Sequence, residues 1–225
     1  MNKLENWTFK NGSILSSYSP YSECSDIFQA VCDELGEYYK QHGFKYARSG
    51  PHLTRKTGDI KLKLSFWSSS SNTPGQSVSL EIIPSFESVS LAKHLSKTKK
   101  DNGYLFGHMA VFEKSISCQP ECDVVVRYPF KEELKRSDPN EKNLLIYSNN
   151  VNVYGITTPN FVKLVNYINY HVVSLIEVLQ DEAPLGQFLN ELPDLLKQAM
   201  FVRKSINSKL PEYLELKFPK LTLSI

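Results

Sequence analysis

The chain has 225 residues, of which 41% are hydrophobic and 22% are charged, and this balance excludes a disordered or fibrous protein. Its 26 basic and 24 acidic residues give a net charge of +2, which is too small for a domain dedicated to nucleic acids. Any basic surface must therefore be a local patch.

The N-terminal stretch MNKLENWTFKNGSILSSYSP has no uninterrupted apolar segment, so we expect no secretory signal and a cytoplasmic location. In that reducing compartment, the 4 cysteines are expected as buried thiols. The most apolar long segment, 161–179, carries Lys163, His171 and Glu177, which a lipid-facing helix would not tolerate. We therefore expect no membrane span.

The first predicted helix covers residues 26–42, where apolar side chains recur every three or four positions. Ser25 is suited to accept a free amide at the helix N-terminus. Gly43 is suited to end the helix in the left-handed conformation.

A β-rich region follows the helix, with predicted strands at residues 44–49, 53–56, 60–67 and 77–83. The third strand alternates strictly, which predicts a half-buried antiparallel strand. One face carries Ile60, Leu62, Leu64 and Phe66, and the other carries Lys61, Lys63, Ser65 and Trp67. Pro84 lacks a backbone donor and is expected to end the fourth strand.

A short helix is predicted next, at 88–97, and further strands are predicted at 104–112, 123–128 and 143–148. The charged segment 130–142 is expected to be an exposed loop or helical turn.

Thr158 and Pro159 predict the start of a long helix whose apolar stripe extends to Leu179. Two shorter helices are expected at 185–192 and 193–206, and the tail EYLELKFPKLTLSI alternates like a strand.

These elements predict an α+β fold in which an antiparallel sheet packs against N-terminal and long C-terminal helices. We expect a single domain over 1–225. A sub-boundary near 149–158 would divide a sheet-rich part, 1–150, from a helical part, 151–225.

No motif identifies an enzyme, since glycine-rich phosphate loops, nucleophile elbows and zinc-protease helices are all missing from the sequence. We therefore predict no catalytic residue, metal or cofactor, and three alternatives stay open. Cys118 and Cys122 could bind zinc if His94 or His108 completed the ligands. Those two histidines could instead serve acid-base chemistry beside lysines. A metal-dependent nuclease would use Asp123, Glu133 and Lys135.

A local basic patch stands out between residues 43 and 67. We predict a partner-binding face here, for an acidic protein in preference to nucleic acid, although nucleic acid is not excluded. Its candidate residues are Arg48, Arg55, Lys56, Lys61, Lys63 and Trp67.

Residues 28–86 carry the run Tyr38 to Lys45, with the letters YYKQHGFK, then the strand containing Arg55 and the alternating strand from Ile60. This pattern resembles uncharacterised bacterial α+β domains, some of which are immunity proteins of polymorphic toxin systems. The resemblance covers about a quarter of the chain. It implies a non-enzymatic protein that masks a toxin or another protein partner. The alternative is a nucleic-acid-binding protein or a divergent metal-dependent nuclease.

Overall fold

A computed structural model describes residues 4–96, 102–108, 110–112, 146–147, 149–202 and 208–221. The predicted strand at 123–128 and the predicted exposed segment at 130–142 lie outside these residues.

Strands of the described residues form one antiparallel sheet, as the sequence predicts for an α+β fold. Its order is β1-β2-β3-β4-β7-β6, and β5 also pairs with β4. The strands are β1 (Lys45–Ala47), β2 (His52–Thr57), β3 (Ile60–Trp67), β4 (Ser79–Ser88), β5 (Tyr104–Gly107), β6 (Ile146–Tyr147) and β7 (Asn150–Asn152).

Helices precede the sheet, interrupt it and follow it along the chain. A short 3-10 helix at Ile14–Ser16 comes first, and π-helical segments occupy Asn169–Val173 and Gln198–Val202. The α-helices are α1 (Cys24–Lys40), α2 (Val89–Leu95), α3 (Thr158–Ile168), α4 (Leu175–Val178), α5 (Glu182–Asn190), α6 (Asp194–Lys197) and α7 (Leu210–Lys217).

The chain divides into two compact units that are not contiguous in sequence. The first unit comprises Met1–Leu53, Ser65–Ile83 and Gln119–Asn169. The second unit comprises Thr54–Leu64, Pro84–Cys118 and Tyr170–Ile225. The single domain expected over 1–225 stays a prediction.

In the first unit, α1 begins at Cys24, and its N-cap is Glu23, whose side chain makes no capping bond. The prediction of Ser25 as the cap is wrong, because the helix starts before it and places Ser25 inside the first turn. The left-handed conformation predicted for Gly43 is confirmed by its φ of 79°, although α1 ends at Lys40 and the helix predicted to reach residue 42 is two residues too long. Phe44 can then donate its amide to the carbonyl of Tyr39 at 3.1 Å.

A buried carboxylate attaches the N-terminal segment of the first unit to α1. Glu34 is only 4% exposed, and its oxygens accept from Trp7 Nε1 at 3.0 Å and from the backbone amide of Lys10 at 3.1 Å. Trp7 in turn stacks on Phe161 of α3, with ring centroids 5.6 Å apart. Both polar bonds satisfy a group that would be costly to bury alone.

The second unit contains a cluster of aromatic side chains from β4, β5 and α5. Phe86 and Phe106 face each other across β4 and β5, and Phe106 stacks on Phe188 of α5 at 5.5 Å. Tyr213 of α7 donates its hydroxyl to the carbonyl of Leu179 at 2.8 Å.

The C-terminal tail corrects the predicted strand, because residues 210–217 form helix α7. Its buried residues are Leu210, Tyr213 and Leu214, and this spacing of three and four is helical. Pro211 lies in the first turn, where its missing amide hydrogen costs no helical bond. The helical spacing of apolar residues therefore decides the structure of 210–217, and the overlapping strand-like alternation does not.

Strand β4 corrects a second expectation, because it continues through Pro84 to Ser88. Even-numbered residues of β4 donate away from β3, as Ile82 does to Asn149 and Ser88 does to Gly103. Along that side, β7 pairs with residues 79–81 and β5 pairs with residues 85–87. Pro84 lies in the interval between these partners, where a missing donor breaks no bond.

Two further boundaries differ from the sequence prediction. Strand β5 ends at Gly107, and the described residues after it are helical, so the strand predicted to reach 112 is too long. Helix α3 is capped by Thr157 and not by Thr158, because the Thr157 hydroxyl accepts from the amide of Asn160 at 3.4 Å. The predicted apolar stripe from Phe161 to Leu179 is buried, although a π-helical segment interrupts it.

We expect Gly36→Ala to destabilise the protein, although alanine normally favours a helix. A Cβ at Gly36 of α1 would lie 2.5 Å from Cδ1 of Tyr46, so ring and helix would have to separate. Overpacking of this kind costs about 1 to 3 kcal/mol of unfolding free energy. Urea denaturation measures it, with Lys40→Ala at the exposed end of the same helix as the control. An unchanged or increased stability for Gly36→Ala would contradict the packing.

Candidate functional site

The outward face of β3 follows from the strict alternation of the strand. Ile60, Leu62, Leu64 and Phe66 are all buried, so the side chains between them point to the opposite face of the sheet. On that face Lys61 is half-buried, while Lys63 and Trp67 are exposed. This confirms the predicted alternation of the basic run.

The hairpin between β2 and β3 brings a second strand's lysine to this face. Strand β2 ends at Thr57 and β3 begins at Ile60, so a two-residue loop joins them and Lys56 pairs directly with Lys61. The amide of Phe66 donates to the carbonyl of Pro51 at 2.9 Å, as that register requires. Lys56, Lys61 and Lys63 all belong to the second unit, and together we call them the lysine face.

Glu87 of β4 neutralises one lysine of the lysine face. Its Oε2 lies 2.9 Å from Lys61 Nζ, and its Oε1 accepts from Asn102 Nδ2 at 3.3 Å. The side chains of Lys61 and Glu87 are 44% and 16% exposed, so the carboxylate is the better shielded partner. Such shielding strengthens an ion pair beyond the small value typical of the surface.

The other two members of the lysine face form no ion pair with any described residue. On β2, Lys63 lies opposite Thr54. On β4, it lies opposite Ser85, because the bond from the Val89 amide to the Asp59 carbonyl sets the register of β3 and β4. Ser85 in turn pairs with Gly107, so the row contains no carboxylate. Lys56 is likewise exposed. Within the described ranges, the ammonium groups of Lys56 and Lys63 therefore have no neutralising carboxylate.

The other three predicted site residues are not part of the lysine face. Arg55 alternates with the buried Leu53, which puts it on the opposite face of β2 from Lys56. Arg48 belongs to the first unit, where its Nε bonds Asp33 Oδ2 at 3.1 Å. Trp67 also belongs to the first unit and is 54% exposed. Of the six predicted residues, the second unit therefore brings together only Lys56, Lys61 and Lys63 on one face.

Asp59, in the β2–β3 loop, organises the region beside the lysine face. Its Oδ2 accepts from the hydroxyls of Ser88 at 2.6 Å and Ser90 at 2.8 Å, and its Oδ1 accepts from the Ser90 amide at 2.7 Å. Ser88 also caps α2 by accepting from the amide of Leu91. One carboxylate thus joins the hairpin to the start of α2.

Asp59 is not among the residues that the sequence predicts for the site. Serines at a helix start are a recognisable signal for an N-cap, but their acidic partner lies far away in the chain.

The charge of Asp59 is stabilised by these contacts. Partial burial acts to raise its pKa, but the bonds from Ser88 and Ser90 and the ammonium of Lys217, 3.7 Å away, together outweigh burial. The pKa therefore lies below its ordinary value of 3.8. This carboxylate is a structural acceptor and is unsuited to act as a general base near neutral pH.

The histidines and cysteines of the described residues form no obvious reaction centre. His94 and His108 are exposed, while burial lowers the pKa of His171 to about 4 and keeps its ring neutral. Cys24 and Cys32 are free thiols, and burial raises the pKa of Cys32.

Metal and nuclease chemistry depends on residues that are not described. Within the described ranges, no group of three histidine, cysteine, aspartate or glutamate side chains is placed to hold a metal ion. Cys118, Cys122, Asp123, Glu133 and Lys135 lie outside those ranges, so the zinc and nuclease alternatives stay predictions.

No family model matches the sequence, and neither a curated protein nor a solved structure matches it. In the part of the chain that is described, no helix is both long and apolar enough to cross a membrane.

We expect Asp59→Asn to lower the unfolding free energy by about 1 to 3 kcal/mol at pH 7, because hydrogen bonds to a charged acceptor are lost. The folded pKa is depressed, so this contribution is complete above the unfolded pKa of about 4 and disappears as the pH falls through the lower folded pKa. Urea denaturation at a series of pH values measures the difference. Asp26→Asn, at an exposed position of α1, is the control. A difference that does not shrink in acid would exclude the charge as its origin.

Proposed function

We propose that the protein is a non-enzymatic cytoplasmic factor that binds an acidic surface of another protein through the lysine face. The observation that supports this is a pair of exposed lysines, Lys56 and Lys63, with no ion-pair partner among the described residues. They flank Lys61, whose charge is already matched by Glu87. Charge complementarity of this kind directs encounter and selects partners.

The pairing of Lys56 with Lys61 supports a binding role on energetic grounds. Like charges directly opposite each other in a sheet cost stability, and such pairs are worth roughly 0.2 to 1 kcal/mol. Folding alone would favour an acidic or neutral residue at position 56. A carboxylate of a bound partner would offset that cost, so the repulsion between the two lysines favours binding of an acidic surface.

Several features favour a protein over nucleic acid as the partner. The whole chain carries a net charge of only +2, and the lysine face contains lysines but no arginine, which is the residue best suited to bidentate contacts with phosphate. Glu87 neutralises Lys61, so this lysine is not available to a phosphate backbone. A discrete acidic patch on a protein can contact Lys56 and Lys63 without placing negative charge next to Glu87.

An immunity or antitoxin-like role is the specific form of this proposal. The resemblance of residues 28–86 to uncharacterised bacterial α+β domains, some of which are immunity proteins, supports it, and this segment contains all three lysines. The free thiols Cys24 and Cys32 suit a reducing compartment. Binding would then cover an acidic surface of the toxin or other partner and block the substrates or proteins that use that surface.

We expect Lys56→Glu/Lys63→Glu to lose at least about tenfold in affinity for the partner, because two attractive contacts become repulsive. The matched control is Lys40→Glu/Lys163→Glu, which changes the net charge equally at exposed positions of the first unit. Each immobilised protein is incubated with nuclease-treated lysate of the native host. Proteins retained by wild type and control but lost by Lys56→Glu/Lys63→Glu are identified, purified and titrated.

Equal retention of the same proteins by all three forms would exclude the lysine face as the binding surface. Proteins that wild type retains from an untreated lysate but not from the nuclease-treated lysate would favour the nucleic-acid alternative, whose affinity should also fall steeply with salt.

A further inference from the structure

Glu87 occupies an unusual position for a residue next to a surface that binds acids. It lies on β4 beside the lysine face, and only 16% of its side chain is exposed. Lys61 Nζ contacts one of its oxygens at 2.9 Å and Asn102 Nδ2 contacts the other at 3.3 Å. The carboxylate is therefore held in place from two sides and cannot readily swing away from an incoming ligand.

We infer that Glu87 is a specificity-determining residue. It lowers the affinity of the lysine face for nucleic acid and leaves the face able to bind an acidic protein. This inference rests on the proposed function and names the kind of partner that the same surface rejects. Specificity often requires a repulsive element directed at the wrong partner, as well as attraction to the right one.

The physical reason lies in how the two partners present charge. A nucleic-acid backbone carries regularly repeated negative charge, and its affinity depends on how many lysines release counterions from it. Glu87 removes Lys61 from that number and adds a negative charge that a phosphate chain crossing the face would meet. A protein surface carries both signs, so it can place carboxylates at Lys56 and Lys63 and a donor group at Glu87.

The partner class follows from this geometry. The complementary surface has two carboxylates, one for Lys56 and one for Lys63, and beside them a hydrogen-bond donor for Glu87, such as an amide, hydroxyl or ammonium group. A uniform polyanion lacks the donor, so it leaves Glu87 facing negative charge.

Removing the carboxylate should uncover binding of single-stranded DNA, a polyanion with no role in the proposed function. For Glu87→Gln we expect the affinity for a labelled oligothymidine to rise about five- to tenfold at low salt, as one further lysine becomes available. The slope of log affinity against log salt concentration should steepen by about 0.7, the value for one phosphate contact on a single strand. Fluorescence anisotropy over a salt series measures both quantities.

Glu81→Gln is the matched control. Glu81 also lies on β4, also bonds an asparagine, Asn149 at 2.9 Å, and its replacement changes the net charge by the same amount, but it belongs to the first unit. It contacts no lysine among the described residues, so its DNA affinity and salt slope should stay at the wild-type values. A second control, Glu87→Gln/Lys61→Gln, should lose the gain, because Lys61 is the lysine that becomes free.

The outcomes separate this inference from the proposed function. Equal gains for Glu87→Gln and Glu81→Gln would show that net charge alone acts and would overturn the role of Glu87. No gain for Glu87→Gln, with circular dichroism unchanged, would overturn it as well. Neither result bears on whether Lys56→Glu/Lys63→Glu loses the protein partner, which tests the proposed function separately.

Discussion

Burial of one face of β3 is the constraint from which the lysine face follows. Ile60, Leu62 and Leu64 are fully buried, and each such side chain contributes about 1.5 to 3 kcal/mol when it leaves water. A one-residue slip in register would expose all of them and bury the lysines between them, so the register is strongly favoured. The outward direction of Lys61 and Lys63 is a consequence of apolar packing on the other side of the sheet.

Two carboxylates beside this strand have different roles because their neighbours differ. Asp59 accepts three hydrogen bonds from Ser88 and Ser90, so its charge is used to position α2. Glu87 accepts from Lys61 and Asn102, so its charge is used on the surface where we propose binding. The first stabilises the fold, and the second changes the electrostatic character of the lysine face without being required for the packing below it.

Patterns local to one element were predictable, whereas features that depend on a distant partner were not. The alternation of β3, the stripe of α3 and the left-handed glycine after α1 each depend on neighbours within a few residues. Pro84 was expected to end β4, and only the positions of β5 and β7 show why it does not. The tail was ambiguous because Leu210, Tyr213 and Leu214 fit a helix while the same stretch also alternates.

The sequence by itself determined that Lys61, Lys63 and Trp67 alternate with buried residues, since side-chain direction along a strand has a period of two. Only the tertiary structure decided which charges remain uncompensated. Glu87 reaches Lys61 through strand pairing, and Asn102 of an adjoining loop bonds Glu87. Arg48 is bound by Asp33 of α1, and Arg55 faces away from Lys56. Ion pairing depends on distances of a few ångströms between residues that are far apart in the chain, and composition carries no record of those distances.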